Sequence, residues 1–196
     1  AKDNVKFLTT LERHFKTISQ AGPSSLSSII DTLPSMMNAI RMVWVISRHY
    51  NNDDRMVPLM VRIAWEIANK VATIINVKTI FRDPLNQAIK KIEDARACLD
   101  KWHKTYLHVR QKIEDSGRDS RWEFDKKKLF DRTNYMKDRC ADLAEVAQVL
   151  DNFHQILGEE LKAVTGDVQG IDEVIGKVNG LVVPLETVPF DIFDKR

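Results

Sequence analysis

Along most of this chain apolar positions recur at spacings of three and four, the mark of helices with one buried face. Val5, Phe7, Leu8, Leu11, Phe15 and Ile18 predict a first helix over 3–20, ended by the Ala21-Gly22-Pro23-Ser24-Ser25 break. Leu26, Ile29, Ile30, Leu33, Met37, Ile40 and Trp44 predict a second from Leu26 to about His49, with Pro34 expected to bend it or start a new one. Between 47 and 56 the pattern breaks into a polar knot. Asn51, Asn52, Asp53 and Asp54 offer side-chain oxygens for caps and turns, and Pro58 is expected in or near the first turn of the next helix. The result is a helical hairpin with Trp44 on one arm and Trp65 on the other. Met56, Met60, Ile63, Ile67, Val71, Ile74 and Ile75 carry the third helix to about residue 78, with Ala64 and Ala68 allowing close approach on a neighbouring face.

Asp83-Pro84 supplies a cap and first position for the fourth helix. Leu85, Ile89, Ile92, Leu99, Trp102, Tyr106, Val109 and Ile113 then step by threes, fours and sevens for about four heptads, the repeat of a bundle or coiled-coil seam. Such a seam can close within the chain or pair with a second one. Residues 116–120 read as a loop, Asp125 as a cap, and Leu129, Met136, Cys140, Leu143, Val146, Ala147, Leu150, Phe153 and Leu157 as the stripe of a fifth helix. Gly158 and the segment from Thr165 to Gly170 loosen the chain before a last short helix near 171–178, and Val182, Val183, Pro184 and Pro189 suggest an extended exit. The predicted fold is all-α: an elongated array of antiparallel amphipathic helices, divided into 1–78, which holds the hairpin at 47–56, and 79–196.

Composition narrows the function classes. The 196 residues are 43% apolar, and the 30 Lys and Arg nearly cancel the 28 Asp and Glu, so neither nucleic acid nor an anionic membrane is expected as a partner. Seven Gly and six Pro favour helices over a turn-rich β protein. No run of about 18 apolar residues is apparent for spanning a bilayer, and no secretory leader opens the chain. Cys98 and Cys140 lack metal-ligand spacing and read as small buried hydrophobes of a reducing compartment. A chain starting at Ala1 without an initiator Met is expected to be a piece of a longer one.

Chemistry finds little foothold. Gly170 to Lys177 hints at a phosphate loop, but its glycines are misspaced and Val178 stands where Mg²⁺ needs a hydroxyl. His103 and His108 are five apart, on different faces of a helix, so no catalytic residue, metal or cofactor is expected. Lys126-Lys127-Lys128 reads as a solvated helix face. The four Trp sit on or beside apolar stripes and read first as core, although an exposed one would anchor a partner helix or a β-propeller edge. Trp102, Trp122 and Phe124 are the candidate partner-binding residues.

Two blocks carry a family resemblance. Trp44, Ser47, Arg48, Tyr50, Asn51, Arg55 and Met56 resemble the Trp-x-x-Ser-Arg-Tyr-Tyr-Asn-Thr-x-x-Arg-Met run in the N-terminal tail of dynein heavy chains. His49 and Asn52 depart from it. Further on, Arg121-Trp122-Glu123-Phe124-Asp125 with Leu129, Phe130, Asp131 and Arg132 is similar to the Trp-x-Phe-Asp…Phe-x-Arg signature of the same tail. The resemblance implies a non-catalytic scaffold in a helical rod, with ATP hydrolysis in a motor region outside this chain. Its implied partners are dynein intermediate and light chains, another heavy chain, and an axonemal docking site or cargo adaptor. The flow of both the first block and Lys162-Ala163-Val164-Thr165-Gly166-Asp167 is more like axonemal, and outer-arm, chains than cytoplasmic ones. A cytoplasmic dynein tail or an unrelated adaptor or tethering rod are the alternatives. A stand-alone enzyme would need a clustered polar site.

Overall fold

The computed structural model of the chain describes residues 2–21, 26–47, 49–117, 122–157 and 175–183. In order these form α1 (Lys2–Gln20), α2 (Leu26–Ile46), α3 (Asp53–Ile74), a 3-10 turn (Ile80–Arg82), α4 (Leu85–Asp115) and α5 (Lys126–Leu157). Residues 175–183 are helical as well, so 181–183 are not the extended exit that the sequence suggested. The described residues hold no strand, and the all-α prediction holds. The expected features at Gly158, 165–170 and 184 onward lie outside the described residues, as does most of the phosphate-loop-like run.

By contact, the described residues gather into two compact units, Ala1–Ile75 with Glu93–Lys137, and Asn76–Ile92 with those from Asp138 on. The chain was expected to divide once, at 78. It crosses twice from one unit to the other inside helices, once in α4 and once in α5, where no Pro or Gly marks a linker.

In the first unit, α1 lies chiefly against α2 and touches α3 more narrowly. Leu11, His14 and Ile18 are its buried side, whereas Val5 and Leu8 of the predicted stripe are 63% and 49% exposed. Lys70 of α3 closes its far end, donating to the Ser19 and Ala21 carbonyls at 2.7 and 3.0 Å, where a cation suits a helix C-terminus. Helix α2 continues through Pro34 with no new start. The missing N–H and ring clash cost about 3 kcal/mol. Leu33, Met36 and Met37 around it are fully buried, and each such side chain contributes about 2 kcal/mol, so burial wins. The same helix corrects a second expectation: with a mean hydropathy of 1.2 over 21 residues it is long and apolar enough to cross a membrane by composition. Ser, Thr and Asn scattered through it masked that run, since Asp31 and Arg41 are its only charges. Its eight buried residues face the unit's core, which accounts for the apolarity.

Helix α3 starts at Asp53 and not nearer Pro58, which puts that proline in the second turn. It buries Met56, Met60, Ile63, Ile67 and Val71 together with the small Ala64 and Ala68, and stops at Ile74, short of the expected 78. On α4 the buried Ala88, Ile92, Ala95, Leu99, Trp102, Tyr106, Val109 and Ile113 form an unbroken four-three heptad series, with Cys98 and Thr105 buried beside it. Ala88 and Ala95 take the places first given to Leu85 and Ile89, which are half-buried. The seam is covered within the chain itself. On α5, Leu129, Thr133, Met136, Cys140, Leu143 and Ala147 keep the same rhythm, with the Thr133 hydroxyl donating to the Phe130 carbonyl at 3.0 Å. Leu150 and Phe153, predicted on this stripe, are half-buried.

Candidate functional site: an aromatic junction

The first motif block builds the corner between α2 and α3. Where α2 ends, the Asn51 amide donates to the Trp44 carbonyl at 2.6 Å, satisfying an acceptor that the helix leaves open. Asn52 is the N-cap of α3: its side-chain oxygen accepts from the Arg55 N–H at 3.1 Å, and its amide donates to the His49 carbonyl at 3.1 Å. Asp53 and Asp54 then sit in the first turn, where negative charge is favoured. Ser47 is buried, its hydroxyl accepting a long bond from the Tyr50 N–H, and Met56 is fully buried. Arg48 lies outside the described residues.

The second block comes to the same place. After α4 ends at Asp115, Gly117 takes a left-handed φ of 62°, the conformation that suits glycine past a helix end. Non-helical residues 122–125 come after the undescribed stretch 118–121. Asp125 is the predicted cap, accepting from the Lys127 and Lys128 N–H groups at 3.0 and 3.3 Å. That anion offsets three exposed lysines at the positive end of α5. Glu123 pairs with Arg110 at 3.0 Å and Lys126 at 3.7 Å.

Trp122 and Phe124 point inward and meet Trp44. The ring centroids are 5.8 Å apart for Trp44–Trp122, 5.1 Å for Trp44–Phe124 and 5.0 Å for Trp122–Phe124, all edge to face. Tyr106 stacks on Trp122 at 6.2 Å and meets Phe130 edge-on at 5.2 Å; His103 lies against Phe130 at 3.9 Å. Edge-to-face pairs add about 1 kcal/mol each beyond their burial, so the network ties the two blocks firmly. Their convergence across the sequence is the main finding at this site.

The surroundings are dry. Burial raises the Tyr106 phenol, with the Phe124 main chain working against it, and lowers His103, helped by the Lys137 ammonium and opposed by Asp100. Burial alone pushes the Cys98 thiol to about 12, which leaves it unreactive. The indole N–H groups of Trp102 and Trp122 have no acceptor among the described residues. No group of three His, Cys, Asp or Glu that could hold a metal occurs among the described residues. The arrangement can fix the geometry of a joint and positions no nucleophile or base.

The candidate partner residues thus divide from the surface. Trp102 is 0% exposed and Trp122 and Phe124 are each 2% exposed, so in this fold their rings touch only the protein itself. The exposed tryptophan is Trp65, at 47%, which the sequence placed with the core. Helix α3 buries 60, 63, 64, 67, 68 and 71, and Trp65 projects from the opposite side of that set. Its angular position was the available signal, and the size of the ring outweighed it. Arg132 of the second block lies over it, the guanidinium carbon 5.4 Å from the ring centroid.

Among the described residues, an open cleft is found in each unit. In the first, Phe15, Ile18, Leu59 and Ile63 line a 240 Å³ groove edged by Arg62 and Glu66. In the second, Arg82, Pro84, Leu85, Ile89, Asp151 and His154 are among those lining a 550 Å³ cleft. Beside it Asp83 is paired with Lys91 at 2.6 Å.

The family model for dynein heavy chain, N-terminal region 1, matches residues 1–196. The chain is 53% identical over 193 residues to dynein axonemal heavy chain 10 of Homo sapiens, covering 98% of this chain and 4% of that protein. It is 52% identical over 194 residues to the dynein-1-alpha heavy chain of the flagellar inner arm I1 complex of Chlamydomonas reinhardtii, covering 99% of this chain and again 4% of the relative. The beta chain of the flagellar outer arm of the same organism is 21% identical over 196 residues. The leaning toward outer-arm chains thus meets an inner-arm relative at much higher identity. The relatives are axonemal and flagellar, which supports the cytoskeleton of the cilium axoneme as the location. The chain spans about 4% of the length of these relatives, and by the match over all of its residues it belongs to the dynein heavy chain N-terminal region family.

Proposed function

We propose that this chain is a non-catalytic segment of the tail of an axonemal dynein heavy chain, a length of helical scaffold through which a ciliary motor is assembled and attached. The observation that carries this is the convergence of the two family blocks on one buried aromatic junction, where Trp44 of the first meets Trp122 and Phe124 of the second. Residues spent on a joint serve transmission of force and shape, while nucleotide turnover belongs to other parts of so long a protein. The partners are dynein intermediate and light chains, a companion heavy chain and an axonemal docking site. Identity to the relative named for the inner arm I1 complex favours an inner-arm assembly. Trp102, Trp122 and Phe124 act in partner binding by holding the surface above them in shape.

Affinity capture from a ciliary axonemal extract, with the tagged chain as bait and mass spectrometry as readout, tests this reading. Axonemal dynein intermediate, light or heavy chains should be recovered, and Trp122→Ala should weaken the capture while far-ultraviolet circular dichroism stays helical. Recovery of cytoplasmic dynein subunits would replace the compartment. A folded bait that recovers no dynein subunit would overturn the scaffold role for this segment.

A further inference from the structure

The side of the first unit that carries Trp65 is unfinished in a specific way. Arg132 lies over the Trp65 ring at 5.4 Å and within 5.9 Å of the Tyr135 centroid, so its guanidinium is held by two aromatic faces. Among the described residues it makes no hydrogen bond or ion pair, and its Nε is shielded from water with no acceptor. Asp131, next to it, does not reach it. An arginine normally meets a carboxylate with its planar fork, and stacking against rings leaves the edge of that fork free to do so. One turn before Trp65 on α3 stands Arg62, which engages Glu66 at 2.8 Å, and one turn before Arg132 on α5 stands exposed Lys128. The face therefore sets three cations against two carboxylates, one of them already paired. At its centre is an indole 47% exposed, beside Arg and Tyr, the residue types that dominate binding hot spots.

We propose that this face binds an acidic amphipathic segment of a partner polypeptide, whose Asp or Glu carboxylate takes the free edge of Arg132 while an apolar neighbour covers Trp65. The surface charge and the ready-held guanidinium select the carboxylate; the exposed indole selects the apolar residue next to it. Such a contact is dry at its centre and charged at its rim, the arrangement in which one charge-assisted pair is strongest. The inference rests on the scaffold reading only in taking the occupant to be a polypeptide. Its test uses a purified probe, so it succeeds or fails whatever subunits an axonemal extract yields.

The whole 196-residue chain, labelled with 5-fluorotryptophan, gives one fluorine resonance per tryptophan, and Trp65→Phe assigns the relevant one. The probe is a synthetic helical peptide displaying Glu beside Leu, compared with the same peptide carrying Gln for Glu. The Glu peptide should move the Trp65 resonance saturably and leave the buried Trp44, Trp102 and Trp122 signals in place. The Gln peptide, and Arg132→Gln with the Glu peptide, should each bind about tenfold or more weakly, with Arg132→Lys in between. The three buried signals report that each variant is folded. The proposal fails if no saturable shift occurs, if the Gln peptide or Arg132→Gln binds as well, or if the Trp65 signal moves with chain concentration alone. That last result would show a second copy covering the indole.

Discussion

The unit formed by residues up to Ile75 and from Glu93 to Lys137 fills its interior with Trp44, Trp102, Tyr106, Trp122, Phe124 and Phe130 alongside its aliphatic residues. In the unit formed by Asn76–Ile92 and the residues from Asp138 on, the buried side chains are Ile80, Ala88, Ile92, Cys140, Leu143, Val146, Ala147 and Val149, and its described phenylalanines, Phe81 and Phe153, are only half-buried. The same two long helices supply both interiors. An aliphatic layer between regular helices needs only the right rhythm of apolar positions. A non-helical strip such as 122–125 offers no rhythm and must be pinned by large rings with preferred mutual angles. Their charges differ as well. Asp100 in the first unit is held below its ordinary value by the Lys137 hydrogen bond and charge, while Asp142 in the second is raised by burial and by Glu145 and Asp138.

Substitution should expose the difference most strongly. Trp102→Ala empties the largest fully buried site of the aromatic interior and should cost about 4 kcal/mol in denaturant unfolding. Leu143→Met, a volume-conserving exchange in the aliphatic interior, should cost less than about 1.5 kcal/mol. Equal losses would erase the distinction. A smaller effect is expected at the corner: Asn52→Ala removes the α3 cap and should cost about 1 kcal/mol, while Asn52→Asp keeps the acceptor and most of the stability. If Asn52→Ala were silent, the cap would not be what sets the start of α3.

The smallest effect is on pH. His14 and His103 have lowered values, each chiefly through burial, so the fold favours their neutral forms. The unfolded chain takes up these protons first, and stability contributed by the first unit falls as pH drops below about 6.5 until the folded histidines protonate too. The Asp100–Lys137 pair, partly exposed and worth about 0.5 kcal/mol, is lost later, below 3.8 and through its lowered folded value. Asp142 runs the other way: its raised folded value means that acid relieves repulsion as pH falls through it toward 3.8. Hydrogen exchange between pH 7.5 and 5 should therefore show protection falling around His14 in α1 and His103 in α4 before residues 138–150. A uniform loss would contradict this assignment of charges.

Much of the fold was legible in the sequence because helices write themselves in local spacing. The seam of α4, the stripe of α5 and the Asp125 cap come from neighbours three, four or two residues apart. The hidden part depends on contacts between distant segments. Nothing local says that Trp122 and Phe124 seat on Trp44, although the two blocks marked both ends of that contact. Pro34 obeyed its neighbours' burial and not its own propensity. Val5 and Leu8 have the spacing of core residues, and only the packing shows that the buried side of α1 begins further along. Trp65 looked like core because the size of a ring is plain in the sequence, whereas its angle around the helix depends on every neighbour.

Lys70 has a consequence for the order of assembly. The carbonyls of Ser19 and Ala21 that close α1 are satisfied by an ammonium 51 and 49 residues further along the chain. During synthesis α1 leaves the ribosome well before the side chain that completes its last turn. Until α3 has emerged and folded, only water can satisfy those carbonyls in its place. Of α1, α2 and α3, the first to be made is completed only when the last of them has folded.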